Sequence, residues 1–308
     1  MARNPRYLPR PGAVVEITQR TIQGRFLFKP SPRLNAVVAG CFARAQENTG
    51  ATVHAVAVLS NHFHLLASFE SVQQMASFAC HLKTNLSKEV GKLHDWSGSL
   101  FAGRYRSIPL SDEPEIQEQR LKYVLSQGVK EGLVLSPKDW PGLHCAEALV
   151  EEKPLAGVWI DRTALYAARQ RGQDVSEASM TEPTELHLTP LPSLMERSKL
   201  QRRSLMEALI ASIEAEALKT HQAQDSVPLG VEAILARDPH EKPRHLRRSP
   251  QPYFHASRQV FRRLMEGFRE FTAAYRRAAK RLADGESAVQ FPDNCFPSRL
   301  PFVEPVVF

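Results

Sequence analysis

The chain of 308 residues has no apolar run approaching the roughly 18 residues that a membrane span requires, so no membrane partner is expected. Its four cysteines, Cys41, Cys80, Cys145 and Cys295, lie far apart with no CxxC pair. That spacing argues against a disulfide framework or a zinc cage and fits reduced thiols in a cytoplasmic protein. The first residues, MARNPRYLPRPG, are basic and proline-rich without an apolar segment behind them, so no secretory signal is expected. There is no ATP or nucleotide motif, and no internal repeat stands out.

Apolar residues make up 43% of the chain, ample for a packed core, and the net charge is +7. The charge is unevenly placed. Residues 1–110 carry 13 Lys/Arg against 5 Asp/Glu, residues 111–165 carry 6 against 10, and residues 241–281 carry 12 against 3. Two basic blocks around an acidic one fit a polyanionic partner, and charge alone fits a solvated basic surface equally well.

Val14 to Ile22 is rich in β-branched residues and reads as a strand. Pro32 to Asn48 is helical, with Leu34, Val37, Val38, Cys41, Phe42 and Ala45 on one face. Val53 to Leu59 and His62 to Phe69 form two strands broken at Ser60-Asn61, and Val72 to Gly91 forms a second helix. Arg104 to Leu110 reads as a fourth strand, followed by a helix opened by Ser111-Asp112-Glu113-Pro114 and running to about Gln127 before Gly128. The order β-α-β-β-α-β plus one helix is α+β, a ferredoxin-like split βαβ arrangement with an antiparallel sheet and helices on one face. Residues 1–165 are expected as one domain and 166–194 as a polar linker. A mostly helical, basic C-terminal extension follows over 195–308. Within it, Met195–Thr220 and Ser257–Leu282 are helical, Pro228–Pro252 is loop, and the tail is proline-rich and extended.

Strand alternation puts His62 and His64 on one side, with Phe63 and Leu65 turned into the core. Two imidazoles on a rigid strand can chelate a divalent cation, and they can also be plain histidines on a solvated face. Tyr123 and Gln127 stand at i and i+4 on a helix, one above the other. An amide oxygen is a hard ligand that could complete a Mg²⁺ or Mn²⁺ site, with the phenol one turn away. From spacing alone, a core-facing tyrosine with a capping glutamine is the commoner arrangement. His54 reads as structural, and His81, His94 and His144 have no partner spacing.

Three segments resemble a known family. NHFHLL (61–66) resembles the HUH signature, histidine-hydrophobic-histidine, of single-tyrosine transposases. GSLFAGRYRS (98–107) and LKYVLSQGVKEGLV (121–134) resemble segments of the REP-associated branch, and Asn85 fits an Asn late in the preceding helix. The match covers about residues 10–150 in order and spacing. The chain departs from that branch where Gln127-Gly128 replaces Asn-Pro and Lys130-Glu131 replaces a basic residue and Ala.

The resemblance implies an HUH endonuclease fold and a metal-dependent enzyme that nicks and joins single-stranded DNA at hairpin or palindromic repeats. Tyr123 would be the nucleophile, giving a 5′-phosphotyrosine link, and His62, His64 and Gln127 would hold Mg²⁺ or Mn²⁺. The alternative is a domesticated hairpin-binding module without transposition activity. Arg20, Arg104, Arg106, Lys122 and Lys130 are candidate DNA contacts, as are Arg262, Arg269 and Arg276 on the last helix. Tyr105 or Trp96 could stack a base, although packing is the commoner role of such aromatics. Some relatives share active sites between two protomers, so a homodimer is left open, as are the hairpin and the cleavage position.

Overall fold

β-Branched and apolar residues at alternate positions make AVVEITQR the first strand, β1 (Ala13–Arg20), of the computed structural model, which describes residues 5–243 and 252–298. The Arg244, Arg247 and Arg248 cluster of the second basic block and the last ten residues of the proline-rich tail lie outside the described residues. Helix α1 (Pro32–Thr49) follows, capped by Ser31 and ended by Gly50 in the left-handed conformation. Strands β2 (Thr52–Leu59) and β3 (His62–Phe69), helix α2 (Val72–Leu93) and strand β4 (Arg106–Pro109) come next, then helix α3 (Pro114–Leu125).

The four strands form one antiparallel sheet in the order β2-β3-β1-β4, so the fold combines helices with an antiparallel sheet, as expected. One sheet face is apolar: Phe63 meets Phe42 of α1 edge-on, and Phe69 meets Phe78 of α2. The opposite face carries Glu16, Thr18 and Arg20 on β1, with His62 and His64 on β3 and Arg106 on β4, by the register Thr18↔His64, Arg20↔His62 and Thr18↔Arg106. Helix α3 lies on this second face, where the guanidinium of Arg120 donates to Glu16 at 2.5 Å. Helices therefore cover both faces of the sheet.

Several boundaries differ from the sequence reading. β1 stops at Arg20 because the Thr21 hydroxyl donates to the carbonyls of Arg25 and Asn61 and turns the chain. β4 starts at Arg106, since Gly103 has φ +77°, and Arg104 is left in an exposed loop. α3 ends at Leu125, so Gln127 sits just past the helix in a tightened turn, its N–H donating to the Val124 carbonyl.

The stretch expected as a linker, 166–194, is built into the fold. Helix α4 (Ala146–Glu151) leads to strand β5 (Leu155–Ile160), helix α5 (Arg162–Gln170) follows, and β6 (Thr181–Leu186) pairs with β5. Beyond β6, Thr189 N–H donates to the Val53 carbonyl, and Leu186, Leu191 and Leu194 are buried. The composition looked unstructured because β6 is mostly polar, with Glu182, Pro183 and Glu185 exposed and Leu186 alone fully covered. Gly40 and Gly157 let α1 and β5 touch through their backbones, for a Cβ on Gly40 would lie 1.9 Å from the Val158 carbonyl oxygen. Gly40→Ala is expected to lower stability by about 1–3 kcal/mol, read as a lower urea midpoint. An unchanged midpoint would contradict this seating.

His54 sits at a break in the β2–β3 register and is buried between Ser68 Oγ (2.8 Å) and the Thr189 carbonyl (2.9 Å), a structural role. His144 accepts from Ala146 N–H at 3.1 Å. Burial pushes its pKa down to about 4, against the carbonyls of Val124 and Leu125. Below the free imidazole value of about 6.5 the unfolded chain takes up a proton that the folded ring refuses, so stability falls from there to about pH 4. His144→Gln is expected to remove up to about 3 kcal/mol of the stability difference between pH 7 and pH 4 in urea titrations. An unaltered difference would place the ring in contact with water.

The C-terminal part contains α6 (Lys199–Ala223), started by a Ser198–Gln201 capping box, and α8 (Arg258–Ala283). The expected loop between them includes a short helix, α7 (Val231–Leu235). After α8 the chain returns to cap α2, with Asn294 Oδ1 accepting from Val72 N–H at 2.6 Å. No helix among the described residues is long and apolar enough to cross a membrane.

Candidate active site

His62, His64, Tyr123 and Gln127 come together where the end of α3 crosses β3. The His62 and His64 rings stand edge to face with centroids 5.2 Å apart, and the Tyr123 ring is 5.4 Å from that of His64. The sheet face between them holds a carboxylate that the sequence reading missed. Glu16, only 3% exposed, accepts from His64 Nδ1 through Oε1 (2.9 Å), and from Arg120 (2.5 Å) and His255 Nε2 (2.9 Å) through Oε2. Burial alone would raise the Glu16 carboxyl, but the hydrogen bonds from His255 and His64 and the charge of Arg120 hold it well below the usual carboxylate range.

These bonds assign the imidazole tautomers. An ionised Glu16 only accepts, so Nδ1 of His64 carries a proton and Nε2 is the nitrogen left to offer a lone pair to a metal. Asn61 donates through Nδ2 to the Gly24 carbonyl, so its Oδ1, 2.7 Å from His62 Nδ1, is the acceptor, and His62 likewise keeps a free Nε2. Burial, then the charges of His64, Arg20 and Lys130, push the His62 pKa well below the usual imidazole value, with the Gln127 amide beside it working in the opposite sense. The ring is neutral at pH 7, the form that ligates metal.

Gln127 supplies the third donor. Its Nε2 donates to the Tyr123 carbonyl at 2.9 Å, and its Oε1 is buried with no hydrogen-bond partner. Leaving a buried acceptor unpaired costs about 1–3 kcal/mol, which calls for a reason at that position. Two imidazole lone pairs and an orphaned amide oxygen form a donor set suited to a divalent cation of the Mg²⁺ or Mn²⁺ kind. Among the described residues no three His, Cys, Asp or Glu side chains converge as a ligand set, so the amide is essential to this fit.

The half-buried Tyr123 phenol is ringed by cations. Lys130 Nζ donates to its oxygen at 3.0 Å and lies 4.2 Å from the ring centre, and the Arg120 guanidinium lies 3.9 Å over the ring. Burial would lower the Lys130 pKa, but Glu131 at 3.0 Å and the Tyr123 hydrogen bond raise it on balance, so the ammonium stays charged. The loop bringing Lys130 back needs Gly128, at φ +88° with Trp140 packed 3.0 Å from where a Cβ would be. The departure from Asn-Pro at 127–128 is thus matched by the local geometry.

The other candidate DNA contacts scatter. Arg20 stands across from His62 in the register, and Arg106 is exposed on the same sheet face. Lys122 turns away, its ammonium held by Glu216 (2.6 Å) and Ser212 (2.8 Å) of α6, so it ties two helices together. Arg262, Arg269 and Arg276 are exposed along α8, far in sequence from the rest. Tyr105 is buried under the Arg6 guanidinium, 3.4 Å from the ring centre, and packs rather than presenting a face. Of the residues missed, Glu16 had a faint signal as a lone acid on the His-bearing face of a buried strand, and Arg120 as the residue three before Tyr123. His255 had none.

No family model matches the chain, and no curated protein matches it. Solved structures overlap with it in part. A REP-associated tyrosine transposase bound to a REP hairpin has a TM-score of 0.42 and 16% identity over 49% of this chain and 86% of that one. A chain described as a transposase from Deinococcus radiodurans R1 has a TM-score of 0.28 and 14% identity over 40% of this chain and 98% of that one.

Proposed function

We propose that the chain is a transposase of the single-tyrosine HUH type with a ferredoxin-like core, nicking and joining single-stranded DNA at hairpin or palindromic repeats. The observation that carries this reading is the Tyr123 phenol, held by Lys130 beside two free imidazole nitrogens and the orphaned Gln127 oxygen. His62, His64 and Gln127 would hold Mg²⁺ or Mn²⁺, which supplies charge to the non-bridging and leaving oxygens of a phosphodiester.

A phenol with a pKa of about 10 is a weak nucleophile at pH 7. Lys130 donates to its oxygen and Arg120 lies over its ring, so positive charge stands beside the reacting group. As the Tyr123 oxygen loses its proton and bonds to phosphorus, the bond to the 3′-oxygen breaks, and that oxygen leaves as a hydroxyl after taking up a proton. The 5′-phosphotyrosine keeps the bond energy, so a 3′-hydroxyl can reverse the step and join strands. Arg20 and Arg106, on the same face, and Arg104 in the adjoining loop would meet the phosphates of the strand. Arg262, Arg269 and Arg276 offer a second basic surface.

Incubation with labelled single-stranded hairpin oligonucleotides and Mn²⁺ tests the reading. A covalent protein–DNA adduct that disappears with chelator is expected. Retained hairpin binding without an adduct under any hairpin substrate would favour the binding module.

A further inference from the structure

His255 belongs to the C-terminal part of the chain, more than 130 residues after the nucleophile, yet its side chain ends inside the site. Its backbone is locked there, for His255 N–H donates to the Pro109 carbonyl at 3.0 Å and its own carbonyl accepts from Ser111 N–H at 2.8 Å. This adds a parallel bridge, Leu110↔His255, just past the end of β4. Two residues on, Ser257 N–H donates to Glu113 at 3.0 Å, and the Ser257 hydroxyl caps α8. The start of α8 is therefore fastened to the start of α3, the helix that carries Arg120 and Tyr123. From this fixed backbone the half-buried His255 ring reaches Glu16 Oε2 at 2.9 Å.

We infer that His255 is a positioning residue of the metal site, acting through Glu16 on His64; this rests on the reading of His62, His64 and Gln127 as ligands. Glu16 is shared by three donors, and their division of labour follows from the geometry. Arg120 and His255 both hold Oε2, which fixes the carboxylate plane and leaves Oε1 for His64 Nδ1. With one Oε2 partner the carboxylate can rotate about its last torsion, which is soft in Glu. With two it is pinned, and the His64 Nε2 lone pair is aimed with it. The C-terminal part of the chain is on this account a component of the active site, and the seating of α8 is coupled to ligand geometry through one hydrogen bond. Partners of a ligating histidine of this kind commonly change metal affinity by about 10–100-fold when removed.

The test is direct Mn²⁺ binding by calorimetry to the full chain, without DNA, for wild type, His255→Ala, His255→Asn, His255→Gln and His64→Ala, with circular dichroism to establish folding. Gln can present a donor close to where imidazole Nε2 lies. A roughly tenfold loss of Mn²⁺ affinity is expected in folded His255→Ala, with His255→Gln within about twofold of wild type. Folded His255→Ala binding Mn²⁺ as wild type does, while His64→Ala abolishes binding, would overturn the role of His255 alone. Wild type that binds no Mn²⁺, or His64→Ala that binds it normally, would overturn the ligand assignment and this inference with it. Should His255→Ala fail to fold, His255→Asn decides, since its shorter amide cannot reach Glu16 from the same backbone position; wild-type Mn²⁺ affinity in that folded variant would overturn the role of His255, and a roughly tenfold loss is expected.

Discussion

Tyr123→Phe is expected to reduce covalent adduct formation on hairpin DNA by at least about 10³-fold while leaving hairpin affinity within about twofold of wild type. The change removes one oxygen and keeps the ring, so its contacts with the Arg120 guanidinium and His64 persist. What is lost from the fold is the hydrogen bond from Lys130, worth about 1 kcal/mol at a part-exposed position. Mn²⁺ binding should be unchanged, because the phenol is not among the three donors. Equal adduct from wild type and Tyr123→Phe, measured by denaturing gel, would remove Tyr123 as the nucleophile.

The residues that meet at this candidate site could be named in advance because three motifs in series resemble a known family, and short-range periodicity agrees with them. Alternation along β3 alone puts His62 and His64 on one face, and an i, i+4 interval puts Tyr123 over Gln127, although the helix ends two residues earlier than expected. Glu16 was passed over because a single acid in a β-branched run reads as a solvent-facing residue. Only the packing of α3 on that face shows it to be buried beneath two histidines and an arginine. His255 was beyond reach for another reason, as its approach depends on how Ser257 and Glu113 join two helices distant in the chain. Lys122 illustrates the converse error. A lysine beside Tyr123 looks like a phosphate ligand, but helical geometry turns it about 100° from that residue, toward α6. The β5–β6 ribbon went unseen since α5 separates its strands and β6 is mostly polar and exposed.

Glu16→Gln is expected to have the second large effect, on both stability and metal binding. The amide can still accept from Arg120 and His255 through one oxygen, but its NH₂ group then faces the Nδ1–H of His64, donor against donor. His64 must tilt or shift its proton to Nε2, and either change spoils the lone pair offered to metal. Mn²⁺ affinity should fall about 10–100-fold. Removing the charge also leaves Arg120, mostly buried on its sheet-facing side, without its ion-pair partner, a loss of about 3–5 kcal/mol for a fully buried pair. The acid limb of stability should change as well. Because the folded-state pKa of Glu16 is depressed, its contribution is full above the unfolded carboxylate value of about 4.3 and is lost as pH falls below it. Glu16→Gln lacks that component, so its urea stability should decline less steeply than wild type on acidification below pH 4. Wild-type Mn²⁺ affinity in this variant would contradict the orientation of His64 by Glu16.

The central claim is that DNA becomes joined to the oxygen of Tyr123. Trypsin cuts after Lys122 and Lys130, so digestion of the purified adduct, with the DNA trimmed by nuclease, should release the peptide Tyr123–Lys130. Tandem mass spectrometry of that peptide is expected to show a nucleotide remnant linked through phosphate to Tyr123. A remnant on any other residue, or an unmodified Tyr123–Lys130 peptide from material that carries DNA, would contradict it.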